Sequence, residues 1–433
     1  MNNHSSLCIS LLQKEVCPAL GCTEPIAVAL AVSRSVEELG RFPSVIEIEV
    51  SANILKNGMG VGIPGTGMVG LDIAAALGAV SGKSKYGLEV LRDATCESIA
   101  MAKEMVDKGC VKIHGTAATH KLYIKAKVSS QGETASAEII DCHDNIVSVE
   151  KNGVVVFSAA DMSDLCAGRG ETPEDSAQQL TVKKIFEFAI SVDFKDIEFI
   201  LQSATLNLAL AKDGLENNYG LNVGKTVASE KLKYIFGDGI MSHAMSLSAA
   251  ASDARMAGSL LPAMSNSGSG NQGITVTLPV VAVAQKIGVT DEKLARALVL
   301  SHLVAIHIKS YLGRLSALCG CVVASSGASC GIIYLLGGSY EQTTFAIKNM
   351  VGNVTGMVCD GAKTGCALKV SSGVASAIQS AVLAMENHCI SQNDGIIDQD
   401  IEQTIRNLAE VGSLGMERTD EVMLGIMLRK QNS

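Results

Sequence analysis

Two groups of cysteines carry the clearest chemistry in this chain. One is Cys319-Gly320-Cys321 with Cys330; the other is Cys359-Asp360-Gly361-Ala362-Lys363-Thr364-Gly365-Cys366. No charged residue lies between Arg314 and Glu341, so the first group stands among small and apolar side chains. A thiol in such a setting is either an inert core residue or a ligand to something soft. Cys359 and Cys366 flank a glycine-containing, helix-breaking hexapeptide, a spacing that turns two loop thiols towards one point.

Two further stretches offer reactive or binding groups. In Cys17-Pro18-Ala19-Leu20-Gly21-Cys22-Thr23-Glu24-Pro25 the prolines interrupt a helix. Thr23 is placed to cap the next helix with Pro25 in its first turn, which leaves Cys22 just outside a helix N-terminus. The positive end of the dipole favours a thiolate there, and a buried cysteine at a helix–helix turn is the plainer reading. The run Ser265-Asn266-Ser267-Gly268-Ser269-Gly270-Asn271-Gln272-Gly273 concentrates backbone N–H groups, hydroxyls and amides, an anion-binding nest suited to a carboxylate. Gly65, Gly67 and Gly70 fit G-x-G-x-x-G, but Pro64 precedes them and the nearest strand ends well upstream, so a tight glycine loop is expected rather than a dinucleotide fingerprint.

The elements that must position these groups fall into two kinds. Ile46, Ile48 and Val50 alternate with Glu47, Glu49 and Ser51, and strands recur at 122–128, 135–140, 146–150 and 154–157 with turns at Asp144-Asn145 and Asn152-Gly153. His114, His120, Cys110 and Cys142 fall here in no zinc-like spacing. After the polar run Gly168–Ser176 the chain reads as successive helices to its end. His302 and His307, five apart on one of them, face different ways. The expected fold is α+β: a mixed, mostly antiparallel sheet domain over 43–165 and a larger all-helical domain over 175–433, with residues 1–42 packing as N-terminal helices on the helical domain.

Composition narrows the functions. Of 433 residues 47% are hydrophobic and 18% charged, with no Trp and 42 Gly, which suits closely packed helices. A net charge of −9, without a basic stripe or aromatic platform, argues against a nucleic-acid partner. The first twenty residues lack a secretory pattern, and so many cysteines in a long chain point to reduced thiols, hence a cytoplasmic location. Segment 315–340 is expected as a buried helix or hairpin rather than a membrane span, and an apolar helical domain is compatible with a homo-oligomer.

Taken together, Cys22-Thr23-Glu24-Pro25, the Ser265–Gly273 loop and the Cys359–Cys366 octapeptide resemble, over nearly the whole chain, the L-cysteine desulfidase family, related to iron–sulfur L-serine dehydratase α-chains. That resemblance implies an oxygen-sensitive [4Fe–4S] cluster, no pyridoxal phosphate, and β-elimination from a small amino-acid substrate to give pyruvate and ammonia. It implies that Cys359 and Cys366 bind the cluster with one cysteine of the 319–321 pair; the family's spacing favours Cys319, with Cys321 as the substitute. Cys22 matches the proton acceptor, and Ser265, Asn266, Ser267, Gly268, Ser269, Gly270 and Asn271 match the carboxylate-binding segment. Three thiolate ligands would leave one iron open, as a Lewis acid requires. L-Serine is the alternative substrate, a non-catalytic iron–sulfur redox sensor the rival from another class, and a dinucleotide enzyme using Gly65–Gly70 the third reading.

Overall fold

The alternation in Val45–Ser51 buries Ile46, Ile48 and Val50 and leaves Glu47 and Glu49 in solvent. The computed structural model describes residues 3–116, 120–159, 173–313 and 315–431. In it this strand is second in a six-stranded sheet ordered Val111–Thr116, Val45–Ser51, Tyr123–Ser130, Glu133–Ile140, Ile146–Lys151 and Val154–Ser158. The first pair is parallel and the remaining four are antiparallel. The helices Thr23–Leu39 and Leu71–Ser81 share one apolar core with this sheet.

A larger core gathers the helices from Pro173–Gln178 onward. At its centre lies Gly320–Leu335, packed by Asp291–Leu312, Gly270–Ile287, Cys366–Met385 and Tyr340–Val354. The uncharged 315–340 segment therefore contains a buried core helix. Cys366–Met385 is the one helix among the described residues long and apolar enough to cross a membrane, and half of that apolar window is buried inside the protein. The polar run read as the domain boundary lies at 168–172 outside the described residues, and Pro173–Gln178 is already helix.

Residues 1–42, expected to pack as one segment on the helical domain, are instead divided. Asn3–Glu15 joins the helical core, but Thr23–Leu39 lies on the sheet, because the face carrying Ile26, Leu30 and Leu39 matches the sheet's apolar side. Between the two helices a two-residue strand, Pro18–Ala19, pairs with Ala263–Met264. The chain thus crosses from one core to the other at the Cys17–Pro25 turn.

The glycine run at 57–70 is a docking strap between the two halves. Gly62 donates its N–H to the Met256 carbonyl at 3.0 Å, and Gly65 donates to that of Gly258 at 3.1 Å. A Cβ on Gly62 would lie 2.6 Å from the Ala257 carbonyl carbon, closer than real contacts allow. Gly62→Ala is therefore expected to lower stability by about 1–3 kcal/mol, as overpacking of a closed contact does. Denaturant unfolding measures it, and an unchanged midpoint would show that the strap gives way freely.

Candidate active site

Each cysteine loop is held by local backbone pairing. Leu318 and Val358 form an antiparallel bridge. Cys319 donates its N–H to Met357 at 2.9 Å, and Cys359 donates to Ala317 at 2.7 Å. Cys319 then caps the helix Gly320–Leu335, and Cys366 is the first residue of Cys366–Met385. Gly361, at φ +91°, packs so closely on the Lys56 carbonyl that a Cβ would sit 2.4 Å from its oxygen. The hexapeptide between Cys359 and Cys366 is thereby pressed onto the end of the helix Ala52–Gly58.

The thiols are electrostatically unequal. A hydrogen bond from the Cys321 thiol, with the nearby Lys369 and Lys309 ammonium groups, brings Cys319 down to about 7 in spite of its burial. Cys321 beside it is pushed up by that contact and by burial. Burial raises Cys359, and it raises Cys366 to about 11. The Lys56 ammonium donates to the Cys359 carbonyl at 3.2 Å and to Asp420 at 2.5 Å, and Lys369 donates to the Val358 carbonyl at 2.8 Å and to Asp360. Cys330 has no part in this group: it is buried within its helix and donates to the Ser326 carbonyl at 3.2 Å.

Cys22 is itself the N-cap of Thr23–Leu39, one residue earlier than the cap expected at Thr23. Burial pushes its thiol up to about 12, opposed by the Arg255 guanidinium, whose Nη2 donates to Sγ at 3.6 Å. Arg255 is 3% exposed and, among the described residues, has no carboxylate within ion-pair distance. Its Nη1 donates to Asn271 Oδ1 at 3.3 Å, while Nε has no acceptor among the described residues. A buried guanidinium lacking an anion is costly, and such a group marks a place where one binds.

The polar loop divides into scaffold and cavity wall. Ser265 donates through both N–H and Oγ to the Cys17 carbonyl, at 2.9 and 2.6 Å. Asn266 is fixed by His302, whose Nδ1 lies 3.0 Å from Asn266 Nδ2 and whose Nε2 lies 3.1 Å from Thr277 Oγ1. Because Thr277 gives its own proton to the Gly273 carbonyl at 2.7 Å, His302 must carry its proton on Nε2 and accept at Nδ1. Burial holds His302 down to about 3, so it is a neutral orienting group. Asn266 Oδ1 then accepts from Gln272 Nε2 at 2.7 Å, which leaves Gln272 Oε1 facing the cavity without a partner among the described residues. Ser269 caps the helix Gly270–Ile287, so Gly270 and Asn271 lie in a first turn whose N–H groups have no partner within the helix. The expected loop nest is therefore a helix N-terminus, and Gly273 is required where a Cβ would come 1.9 Å from the Met264 carbonyl.

These elements close on one cavity of about 110 Å³. Of the residues singled out in the sequence, Cys22, Ser267, Gly268, Ser269, Asn271, Cys319, Cys359 and Cys366 line it, as does Cys321. Ser265, Asn266 and Gly270 do not; they support it. Four helices, starting at Thr23, Gly270, Gly320 and Cys366, bring their N-termini to it, a concentration of positive dipole ends suited to thiolates and a carboxylate. No three His, Cys, Asp or Glu side chains among the described residues converge closely enough for a single metal ion. The thiols of Cys319, Cys321, Cys359 and Cys366 border one cavity, with the Lys369 and Lys309 ammonium groups near Cys319.

Sequence reading missed several of these wall residues: Arg255, Glu24, Asn57, Lys309, Gln272 as an acceptor, and His143 from the turn after Glu133–Ile140. A signal for Arg255 existed. Between Gly239 and Gln285 the only charged side chains are Asp253 and Arg255, beside the polar loop.

A family model described as serine dehydratase alpha chain matches residues 85–425. A UPF0597 protein of Bacteroides fragilis is 51% identical over 424 residues, covering 98% of this chain and 97% of its own. UPF0597 proteins of Oleidesulfovibrio alaskensis and Shewanella pealeana are 51% and 45% identical, each over 98% of both chains.

Proposed function

This chain belongs to the serine dehydratase alpha chain family, and from that premise we propose that it is a lyase cleaving L-cysteine to pyruvate, ammonia and sulfide. The observation that carries the reading is the meeting in one cavity of Cys22, the N-terminus of Gly270–Ile287, and the thiols of Cys319, Cys359 and Cys366. Those three thiols would hold a [4Fe–4S] cluster, which when bound supplies a Lewis-acidic iron for the departing sulfur. Cys319 is favoured over Cys321 because it stands outside the helix Gly320–Leu335, at its N-cap on the loop paired with Met357, whereas Cys321 lies within the first turn.

The remaining roles belong to the chain's own groups. The N–H of Asn271, with Arg255, binds the substrate carboxylate and offsets charge as the α-carbon loses its proton. Cys22 accepts that proton at Sγ, and the electron pair left on the α-carbon forms the Cα–Cβ double bond as the Cβ–S bond breaks. The enamine so formed hydrolyses to pyruvate and ammonia. Burial disfavours the Cys22 thiolate, so the Arg255 contact and the helix N-terminus must supply what makes it available. His143 lines the same cavity and is the second candidate for the proton acceptor.

The test is an anaerobic assay of protein reconstituted with iron and sulfide, comparing L-cysteine and L-serine for pyruvate and free sulfide. Pyruvate and sulfide from cysteine, lost in air, are the expected result. Pyruvate chiefly from serine would place the chain with the dehydratases on the same site. A cluster spectrum with no turnover of either substrate would overturn the lyase reading in favour of a sensor.

A further inference from the structure

The cavity has a second pole, opposite in character to Arg255. Glu24 is buried, lines the cavity and, among the described residues, has no Lys or Arg within ion-pair distance. Its Oε2 accepts the Thr23 hydroxyl at 3.2 Å, and its Oε1 accepts from Asn57 Nδ2 at 3.0 Å. A carboxylate oxygen can only accept, so this contact fixes which way the Asn57 amide points. Nδ2 faces Glu24, and Oδ1 is left buried and without a partner among the described residues. Asn57 itself is pinned, because its carbonyl accepts the Ala362 N–H at 3.3 Å. A buried carboxylate with no cation beside it and an oriented, unpaired carbonyl each cost free energy unless a cationic donor completes them.

We infer that Glu24 and Asn57 form the subsite for the substrate's α-ammonium group, with Asn57 Oδ1 accepting an N–H and Glu24 supplying the countercharge. This rests on the lyase reading for the identity of the substrate, and it adds the group by which an α-amino acid is told from the acid lacking nitrogen. The cavity then matches a zwitterion: donors and a guanidinium for the carboxylate, acceptors and a carboxylate for the ammonium. A site built around a buried acceptor discriminates strongly against an analogue that leaves the acceptor empty.

Binding is measured anaerobically on reconstituted full-length protein in a Cys22→Ser background, in which pyruvate release from L-cysteine is first shown to be absent. The ligands are L-cysteine and 3-mercaptopropanoate, which lacks only the amino group. L-Cysteine is expected to bind at least about tenfold more tightly, and both Asn57→Leu and Glu24→Gln are expected to weaken it by about tenfold or more. The same substitutions should leave 3-mercaptopropanoate within about twofold. Glu24→Gln keeps an oxygen for Asn57 Nδ2 and so tests the charge even where Asn57→Leu disturbs packing. Equal weakening of both ligands, or none, overturns the inference. An amino-group preference that depends on these residues, in a protein whose Cys22 form turns over neither amino acid, sinks the lyase reading alone; failure to bind either ligand sinks both.

Discussion

Cys359→Ser, Cys366→Ser and Cys319→Ser are each expected to lose the visible absorption of a reconstituted iron–sulfur cluster and to fall at least about 10³-fold in turnover, since a Lewis-acid metal supplies several kcal/mol. Cys321→Ser is expected to keep both. The two neighbours differ in place and in protonation. Cys319 is the N-cap of Gly320–Leu335, with the Cys321 thiol beside it and Lys369 and Lys309 nearby. Cys321 lies two positions further on, inside the first turn of the helix, and its contact with Cys319 and its burial push its thiol up. Serine at position 321 keeps a small polar side chain in the first turn, whereas serine at 319 removes the soft ligand itself. Iron content and absorption read the ligand role without depending on turnover. If Cys321→Ser abolishes the cluster and Cys319→Ser spares it, the assignment within the pair is reversed.

Much of this arrangement was legible because local patterns agreed with the fold. Alternation marked five of the six strands of the large sheet but not Val111–Thr116, and the loss of charge over 315–340 marked a buried helix or hairpin, of which the structure has the helix. The Cys359–Cys366 loop stood out because Gly361 and Gly365 lie between two cysteines, while the ligand role expected of those thiols came from the resemblance. What escaped notice depends on contacts distant in sequence. Pro18–Ala19 pairs with Ala263–Met264 through two residues on each side, too short for any period to appear. Thr23–Leu39 is apolar enough to suit either core, so its assignment to the sheet waits on which partner offers the complementary face. Asn57 is the next-to-last residue of a seven-residue helix, just ahead of the glycine stretch whose Gly65–Gly70 motif was weighed for nucleotide binding. Its value lies in the orientation of one amide, which is set by a carboxylate thirty-three residues away.

Arg255→Met should lower kcat/KM by about 10²–10⁴-fold, the range set by removing one partner of a buried charged contact. Two losses are combined in that figure. The guanidinium faces Asn271 at the helix N-terminus proposed to hold the carboxylate, so its removal raises KM. It also donates to Cys22, and without it burial pushes the thiol still further up. A proton acceptor works only when deprotonated, so a higher Cys22 pKa moves the ascending limb of the kcat–pH profile to more alkaline pH. Arg255→Lys keeps the charge but not the fork, and should fall between the wild type and Arg255→Met. Stability separates these effects from damage to the fold. In ligand-free protein Arg255 is a buried charge without a carboxylate among the described residues, and an apolar side chain of similar length removes that cost. The melting temperature of Arg255→Met should therefore equal or exceed that of the wild type while activity collapses. A rise in KM with an unmoved pH limb would confine Arg255 to carboxylate binding, and would leave Cys22 to depend on its helix terminus alone.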